Sequence, residues 1–382
     1  MHRLIDTKRI LVCAGPGGVG KTTTAAALAV AAARAGRRTL VCTIDPAPRL
    51  ADALGMPDLS ADPRPLSDAA ARALGIHAPG ALMAARLDTA RTFDRLVESE
   101  VPGQEMRRRI FANAIYREIT STLTGSQEYA ATLALHELHT AGGYDLIVLD
   151  TPPTAHALDF LEAPRRLTAA IESPIVQWFS RPPSSTGLLS WQRLRAGPGL
   201  ILRRVGKLVG SQFLDDLGAF LLDFRDVLHG FLRRAQAVEA LLRQQETGFL
   251  LVLEPEVPAV SEALFFAARL REAGLHLEAF IANRVLPVIS LTDEPTLRER
   301  LTGCGARPLD VDAGVTALAA LADHLARLAS AQRRELVRLH HEAPGVALAV
   351  VPLLAGDVST LDSLRKIGEH LVGKRDDSYA LR

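Results

Sequence analysis

The most informative segment of this chain is Gly15-Pro16-Gly17-Gly18-Val19-Gly20-Lys21-Thr22. It satisfies the pattern G-x-x-x-x-G-K-[ST], in which a glycine-rich loop binds phosphate groups. An apolar segment, 9–14, comes directly before the loop, and an alanine-rich segment, 21–35, overlaps its end. A strand before the loop and a helix after it are the context that the pattern requires. That context disfavours the alternative of a flexible glycine-rich turn.

The loop predicts a binding site for a triphosphate and its magnesium ion. Glycines allow consecutive backbone N–H groups to converge on the phosphates, and the N-terminus of a helix favours negative charge. Lys21 supplies a positive charge near the β- and γ-phosphates, and the hydroxyl of Thr22 is a ligand for Mg²⁺. The predicted phosphate-binding residues are Gly15, Gly17, Gly18, Val19, Gly20, Lys21, Thr22 and Thr23.

Further apolar segments predict an α/β fold, in which a mostly parallel sheet of the P-loop NTPase type is flanked by helices. The predicted strands are 9–14, 39–44, 144–149, 249–253, 277–282 and 346–351. Two stretches, 56–140 and 156–245, have helical patterns and predict an α-helical subdomain inserted into the sheet. The predicted domains are a P-loop core (1–55, 141–155 and 246–372), this helical subdomain, and a flexible tail (373–382).

Two acidic residues follow predicted strands at the same edge as the loop. Ligands bind outside the carboxyl ends of the strands in open α/β sheets. Asp150 ends its strand and could hold Mg²⁺ directly or through a water, or it could be a turn or helix-capping residue. Asp45 could orient the water that attacks the γ-phosphate, or it could cap a helix that Pro46 begins. The residues alone leave both alternatives open.

Composition excludes several classes of protein. The 382 residues contain 44 Lys+Arg and 43 Asp+Glu, and this net charge of +1 argues against nucleic-acid binding, which depends on a basic face. Apolar residues make up 48% of the chain, which argues against disorder, but no apolar run reaches the roughly 18 residues of a membrane-spanning helix. Three scattered cysteines suggest neither a disulfide framework nor a zinc cluster (Cys13, Cys42, Cys304). The sequence therefore predicts a soluble protein of the cytoplasm.

These elements together resemble the arsenite-pump and tail-anchored-protein-targeting ATPase family, in its bacterial single-unit branch of anion-transporting ATPases. That family belongs to the dimerising class of P-loop ATPases. The resemblance covers about residues 9–372 and is carried by two switch segments, two adenine-side segments and two segments typical of the bacterial branch. These segments are, in the same order, 43–50 (TIDPAPRL), 149–158 (LDTPPTAHAL), 282–284 (ANR), 351–354 (VPLL), 87–94 (LDTARTFD) and 125–129 (GSQEY).

The resemblance implies an ATPase that binds ATP with Mg²⁺ and acts as a homodimer or as a heterodimer with a paralogous ATPase. It implies that Lys21 and Asp45 are catalytic, with Asp45 positioning the water, and that Asp150 senses the metal. Asn283 would recognise the adenine edge, to which a carboxamide offers both a donor and an acceptor. Pro352 and Leu353 would pack on the adenine face, and three residues would move with nucleotide state: Pro152, Thr154 and His156.

The chain departs from the family at the loop. Pro16 occupies the position at which members of this class carry a second lysine that reaches the partner's site. An intersubunit cation of this kind can be worth about 10³–10⁵ in rate, so slow hydrolysis is expected. An alternative is a catalytically weak nucleotide-binding subunit that pairs with an active paralogue.

Client and cargo are the second point of departure. Arsenite binding requires several close cysteines, so arsenite pumping is disfavoured. All four methionines precede residue 107, so a methionine-lined client groove is not expected. The apolar stripes at 201–209 and 213–232 either pack on the core or line a groove for an apolar client helix or a lipid-like ligand. Arginines including Arg233 and Arg234 would rim such a groove. A membrane-surface or nucleoid ATPase is disfavoured by the neutral charge.

Overall fold

The computed structural model describes residues 1–78, 80–101, 103–113, 116, 126–151, 168–169, 225–287, 293–304, 307–354 and 360–373. The chain divides into two compact units. The first comprises Met1–Arg86, Gly143–Ala157 and Arg243–Arg382, and the second comprises Leu87–Gly142 and Leu158–Leu242.

A sheet of eight strands forms the centre of the first unit in the described residues. The strands are β1 (Ile10–Ala14), β2 (Thr39–Thr43), β3 (Arg64–Pro65), β4 (Leu82–Arg86), β5 (Leu146–Asp150), β6 (Thr247–Leu253), β7 (Leu277–Val285) and β8 (Ala347–Pro352). Their order across the sheet is β3-β4-β2-β5-β1-β6-β7-β8, and every neighbouring pair is parallel except β3 with β4. The predicted fold class, a mostly parallel α/β sheet of the P-loop type, is confirmed.

Helices flank this sheet and build the second unit. Those of the first unit are α1 (His2–Thr7), α2 (Lys21–Arg34), α3 (Arg49–Leu54), α4 (Asp68–Ala73), α9 (Val257–Glu272), α10 (Glu294–Gly303), α11 (Pro308–Glu342) and α12 (Leu361–Val372). Those of the second unit are α5 (Thr89–Glu100), α6 (Gln104–Ala112), α7 (Ser126–Ala141) and α8 (Arg225–Leu242). In the described part of the chain, no helix combines the length and the apolarity that a bilayer crossing needs.

The central strands are apolar because both faces of the sheet are covered. All residues of β1, β2, β5 and β6 are buried, as expected of a parallel sheet between two layers of helices. Helix α2 is also buried for most of its length, and its alanines allow close packing. A Cβ at Gly368 of α12 would lie only 3.1 Å from the carbonyl oxygen of Ala27, so glycine permits this approach.

The register of the strands determines which residues meet at the carboxyl ends of β1, β2 and β5. Strand β5 lies between β1 and β2, so that Asp150 is the register partner of Cys13 on one side and of Thr43 on the other. The loop that follows β1 and the segment that follows β2 therefore begin on either side of Asp150. This arrangement brings together residues that are more than 100 positions apart in the chain.

The structure corrects the prediction for residues 56–140. Two of its segments are strands, β3 and β4, and they extend the sheet beyond β2. Strand β4 has the sequence LMAAR, whose two alanines are weak strand formers, and its pairing with β2 supplies the stability that the local sequence lacks. The helical part of this stretch begins later, at α5 in the second unit.

Helices α5, α7 and α8 pack together in the second unit. Arg233 of α8 lies 2.6 Å from Glu100 Oε2 of α5, and Arg234 lies 3.7 Å from Glu100 Oε1 and 3.5 Å from Glu137 Oε1 of α7. These two arginines, predicted to rim a client groove, form ion pairs with acidic side chains. The apolar stripe at 201–209 and most of the stripe at 213–232 lie outside the described residues.

Candidate functional site

The glycine-rich loop connects β1 to α2 in a conformation that requires glycine. Gly15 has φ +149°, and a Cβ built there would lie 2.0 Å from the carbonyl oxygen of Val252 in β6. Gly20 has φ +91° and forms the N-cap of α2, a helix without a side-chain cap or an acidic residue in its first turn. The first amides of α2 are therefore free of competing carboxylates and suited to an anion.

Lys21 is the first residue of α2, and its side chain folds back over the loop. Its Nζ donates a hydrogen bond to the carbonyl oxygen of Pro16 at 2.8 Å, and the residue is only 8% exposed. Burial lowers the pKa of Lys21, whereas the nearby carboxylate of Asp150 raises it. The structure thus holds a buried ammonium group at the loop, which is the charge that bound phosphates would neutralise.

Asp150 is the most buried acidic group of this site, with an exposed fraction of 1%. Its Oδ2 accepts hydrogen bonds from the hydroxyls of Thr22 at 2.7 Å and Thr43 at 3.0 Å. Its Oδ1 is buried and has no hydrogen-bond partner in the described structure. Burial raises the pKa of Asp150 to about 6, although the two hydroxyls and Lys21 favour the charged form. A buried carboxylate with one unsatisfied oxygen is costly unless it has a further partner.

Thr22 and Asp150 fit a magnesium ion. Mg²⁺ prefers hard oxygen ligands and is usually held by one or two protein oxygens together with phosphates and water. The Thr22 hydroxyl donates to Asp150 and keeps its lone pairs for a metal, and Asp150 Oδ1 lacks a hydrogen-bond partner among the described residues. Both oxygens lie at the end of the loop that would hold the phosphates.

Asp45 follows β2 and is fixed through both carboxylate oxygens. Its Oδ1 accepts from the backbone N–H of Ala47 at 2.9 Å, and its Oδ2 lies 3.3 Å from Nη1 of Arg49. The next helix, α3, begins at Arg49 with Pro48 as its N-cap. The alternative that Asp45 caps a helix begun by Pro46 is therefore wrong, because the Asp45 carboxylate stabilises the turn that precedes α3.

The predicted adenine-side residues lie at the carboxyl ends of β7 and β8. Asn283 Nδ2 donates to the carbonyl oxygen of Val19 at 2.8 Å, so β7 is directly attached to the loop. Leu353 is half exposed, and its backbone N–H donates to the carbonyl oxygen of Val285 at 2.9 Å. Pro352 is partly buried at the end of β8. The side chain of Asn283 thus contacts the loop, whereas Pro352 and Leu353 belong to the neighbouring strand and the residue after it.

Two residues of this site, Thr43 and Arg49, were not predicted from the sequence, although both lie within segment 43–50. Neither has a distinctive motif of its own, and the signal that identifies Thr43 is its register with Asp150. The predicted switch residues Pro152, Thr154 and His156 lie outside the described residues. Thr151, directly before them, donates its hydroxyl to the carbonyl oxygen of Cys13 at 2.9 Å.

Known proteins resemble this chain over about three quarters of its length. Residues 8–179 match the family model described as anion-transporting ATPase. An uncharacterised protein of Streptomyces coelicolor is 31% identical over 280 residues, which are 73% of this chain and 63% of the relative.

Two further relatives carry functional names. A proposed arsenical pump-driving ATPase of Aquifex aeolicus is 24% identical over 284 residues, or 73% of this chain and 64% of that protein. ATPase GET3 of Malassezia globosa is 24% identical over 290 residues, or 75% and 76%. The chain thus spans slightly less than two thirds of the Streptomyces and Aquifex proteins.

Proposed function

We propose that this chain is a member of the anion-transporting ATPase family that binds ATP together with Mg²⁺ and hydrolyses it to ADP and phosphate. The observation that supports this most strongly is the pair of side-chain oxygens beside the loop. Thr22 and Asp150 form this pair, and Asp150 Oδ1 has no hydrogen-bond partner in the described part of the chain. A metal ion that arrives with a triphosphate would supply the missing partner.

Each group then has a physical role in phosphoryl transfer. The loop amides and Lys21 bind the phosphates and stabilise the charge that develops on them. Thr22 and Asp150 would hold the Mg²⁺, which when bound draws negative charge from the β- and γ-phosphates. Asp45 orients the attacking water at the γ-phosphate, and its carboxylate is partly exposed.

Exchange of Asp45 for asparagine tests its role. We expect Asp45→Asn to lower kcat by about 10²–10³, because the carboxylate that orients the water and accepts a hydrogen bond from it is lost. The affinity for ATP should change by less than about threefold, because the substitution leaves the phosphate ligands intact. Turnover measured by phosphate release, together with calorimetric titration, separates the two. An unchanged kcat would show that Asp45 only stabilises the turn before α3.

Exchange of Asn283 for alanine tests the adenine side. If Asn283 recognises the adenine edge, the preference for ATP over GTP should fall by about tenfold, the equivalent of one good hydrogen bond. Asn283 also donates a hydrogen bond to the carbonyl of Val19, and loss of that bond should weaken the binding of ATP and GTP equally. Competition titrations with ATP and GTP distinguish these effects. An unchanged ratio of the two affinities would place adenine recognition elsewhere.

The proposal extends to assembly and location. We propose a cytoplasmic homodimer, or a heterodimer with a paralogous ATPase, that couples nucleotide state to a client through the helical second unit. The client would be an apolar helix or a lipid-like ligand. The family resemblance and the helical character of α5 to α8 support this arrangement. Light scattering with and without a non-hydrolysable ATP analogue tests it, and a monomer under both conditions would refute the dimer.

Pro16 supports the alternative of a catalytically weak subunit. A proline offers no N–H to the phosphates and no side-chain charge. In the structure its carbonyl oxygen accepts from Lys21, and this contact does not depend on its side chain. Turnover of the pure chain, compared with turnover after addition of a paralogous subunit, distinguishes the two. Stimulation only by the paralogue would favour the alternative.

Transport of arsenite receives no support from the thiols. Cys13 and Cys42 are buried in β1 and β2, and burial raises the pKa of both thiols, that of Cys42 to about 12. Metalloid binding uses the thiolate form, which neither group adopts near neutral pH. Cys304 is exposed near the end of α10. Stimulation of turnover by arsenite would contradict this conclusion.

A further inference from the structure

We infer that Arg49 is a γ-phosphate-binding residue that leaves Asp45 when ATP binds and thereby makes the Asp45 carboxylate available to the attacking water. The inference rests on the proposed ATPase function and assigns to that site a residue that its sequence motifs do not identify. It concerns how the site distinguishes ATP from ADP.

The ion pair between Arg49 and Asp45 can be exchanged easily. Arg49 Nη1 lies 3.3 Å from Asp45 Oδ2, and the two side chains are 69% and 30% exposed. An exposed pair of this kind contributes little to stability, because water competes for both groups. The Arg49 side chain is thus held near the site by a weak contact that a more highly charged ligand can replace.

The positive charge of Arg49 acts on Lys21 at the phosphate-binding loop. Burial is the largest cause of the lowered pKa of Lys21; Asp150 and Asp45 raise this pKa, and the positive charge of Arg49 lowers it. Arg49 and Lys21 therefore share one electrostatic site, although they belong to different helices. A guanidinium group can donate two parallel hydrogen bonds to a phosphate, whereas in the structure Arg49 reaches only Oδ2 of Asp45, because Oδ1 accepts from Ala47.

The exchange follows from the hydrogen bonds of Asp45. Its Oδ1 is held by the backbone N–H of Ala47, and this bond fixes the carboxylate whether or not Arg49 is present. When Arg49 transfers its N–H from Asp45 Oδ2 to an oxygen of the γ-phosphate, Oδ2 becomes free to accept a hydrogen bond from the water. ADP lacks the γ-phosphate, so Arg49 keeps its hydrogen bond to Asp45 Oδ2.

The test compares ATP and ADP binding in Arg49→Ala and Arg49→Lys. With Mg²⁺ present, we expect Arg49→Ala to weaken the binding of ATP by about 10–100-fold, because a charge-assisted hydrogen bond is lost. The affinity for ADP should change by less than about twofold. Turnover at saturating ATP should fall as well. Arg49→Lys should recover part of both losses, because a lysine keeps the charge without the fork. Calorimetry and phosphate release measure these quantities.

Arg38→Ala is the matched control. Arg38 is 64% exposed and lies 3.4 Å from Asp145 Oδ1, just before β5, so it forms a similar surface pair at the opposite end of that strand. It should leave both affinities and the turnover unchanged. If the wild-type chain hydrolyses ATP but Arg49→Ala lowers the affinities for ATP and ADP equally, or lowers neither, the inference is overturned. Failure of the wild-type chain to bind ATP would instead refute the proposed function itself.

Discussion

Replacement of Asp150 by asparagine is expected to stabilise the nucleotide-free protein by about 1–3 kcal/mol and to reduce ATP turnover by about 10³-fold. Burial raises the pKa of Asp150 from 3.8 to about 6, which corresponds to a cost of about 3 kcal/mol for the charged form at neutral pH. Asparagine has nearly the same shape, accepts from Thr22 and Thr43 through its oxygen, and carries no charge. It is also a poor ligand for Mg²⁺ compared with a carboxylate.

The pH dependence of this effect has a definite sign. Because the pKa of Asp150 is higher in the folded than in the unfolded protein, the cost of ionisation is present above about pH 6 and disappears as the pH falls below about 4. The stability difference between Asp150→Asn and wild type, measured by urea unfolding, should therefore be large at pH 7 and small at pH 4.

Asp145→Asn provides the opposite pattern in the same chain. Asp145 precedes β5 and accepts a hydrogen bond from the backbone N–H of Arg38 at 2.8 Å, which lowers its pKa. Its charged form is favoured in the folded state, so Asp145→Asn should reduce stability at neutral pH and leave turnover intact. If Asp150→Asn behaved in this way instead, Asp150 would be a structural residue and the metal site would be wrong.

Replacement of Gly15 by alanine is expected to weaken ATP binding by more than about 100-fold and to destabilise the protein by about 3 kcal/mol or more. Its Cβ would lie 2.0 Å from the backbone oxygen of Val252, and its φ of +149° is one that side chains rarely adopt. The sheet fixes the positions of Gly15 and Val252, because the residues before them, Ala14 and Leu251, are register partners in β1 and β6. The loop must therefore move away, and its amides lose their common direction.

Gly18→Ala is the control for this effect. Gly18 has φ +81°, but a methyl group at this position would meet no atom within 4 Å beyond its own chain neighbours, so the replacement costs only about 1–2 kcal/mol of backbone strain. Urea unfolding and ATP titration of both variants provide the comparison. Equal losses in the two variants would show that the close approach of β6 to the loop does not determine the phosphate site.

Much of the fold could be predicted because local signals agreed with the final structure. The strands β1, β2 and β5 to β8 are largely apolar segments, and glycine, proline or aspartate interrupts the pattern at or near their ends. Strands β3 and β4 could not be predicted, since a two-residue strand and the sequence LMAAR have no strong preference of their own. They exist because β2 offers β4 an unpaired edge.

The residues of the site likewise fall into two groups, those that could be predicted from the sequence and those that could not. The loop, Lys21 and Asp150 could be predicted, because a contiguous motif and a strand end identify them. Thr43 and Arg49 could not, because their importance arises from contacts with Asp150 and Asp45 rather than from any pattern. The bond from Asn283 to Val19 spans 264 positions and depends on the strand order, which the sequence does not specify.

We propose that the loop, Lys21, Thr22 and Asp150 together hold a triphosphate and its magnesium ion. Calorimetric titration of the folded protein with ATP in the presence of Mg²⁺ is the decisive test. We expect one site per chain with a Kd of about 1–100 µM, and at least tenfold weaker binding when Mg²⁺ is removed. Absence of binding by protein whose circular dichroism shows an intact α/β fold would contradict it.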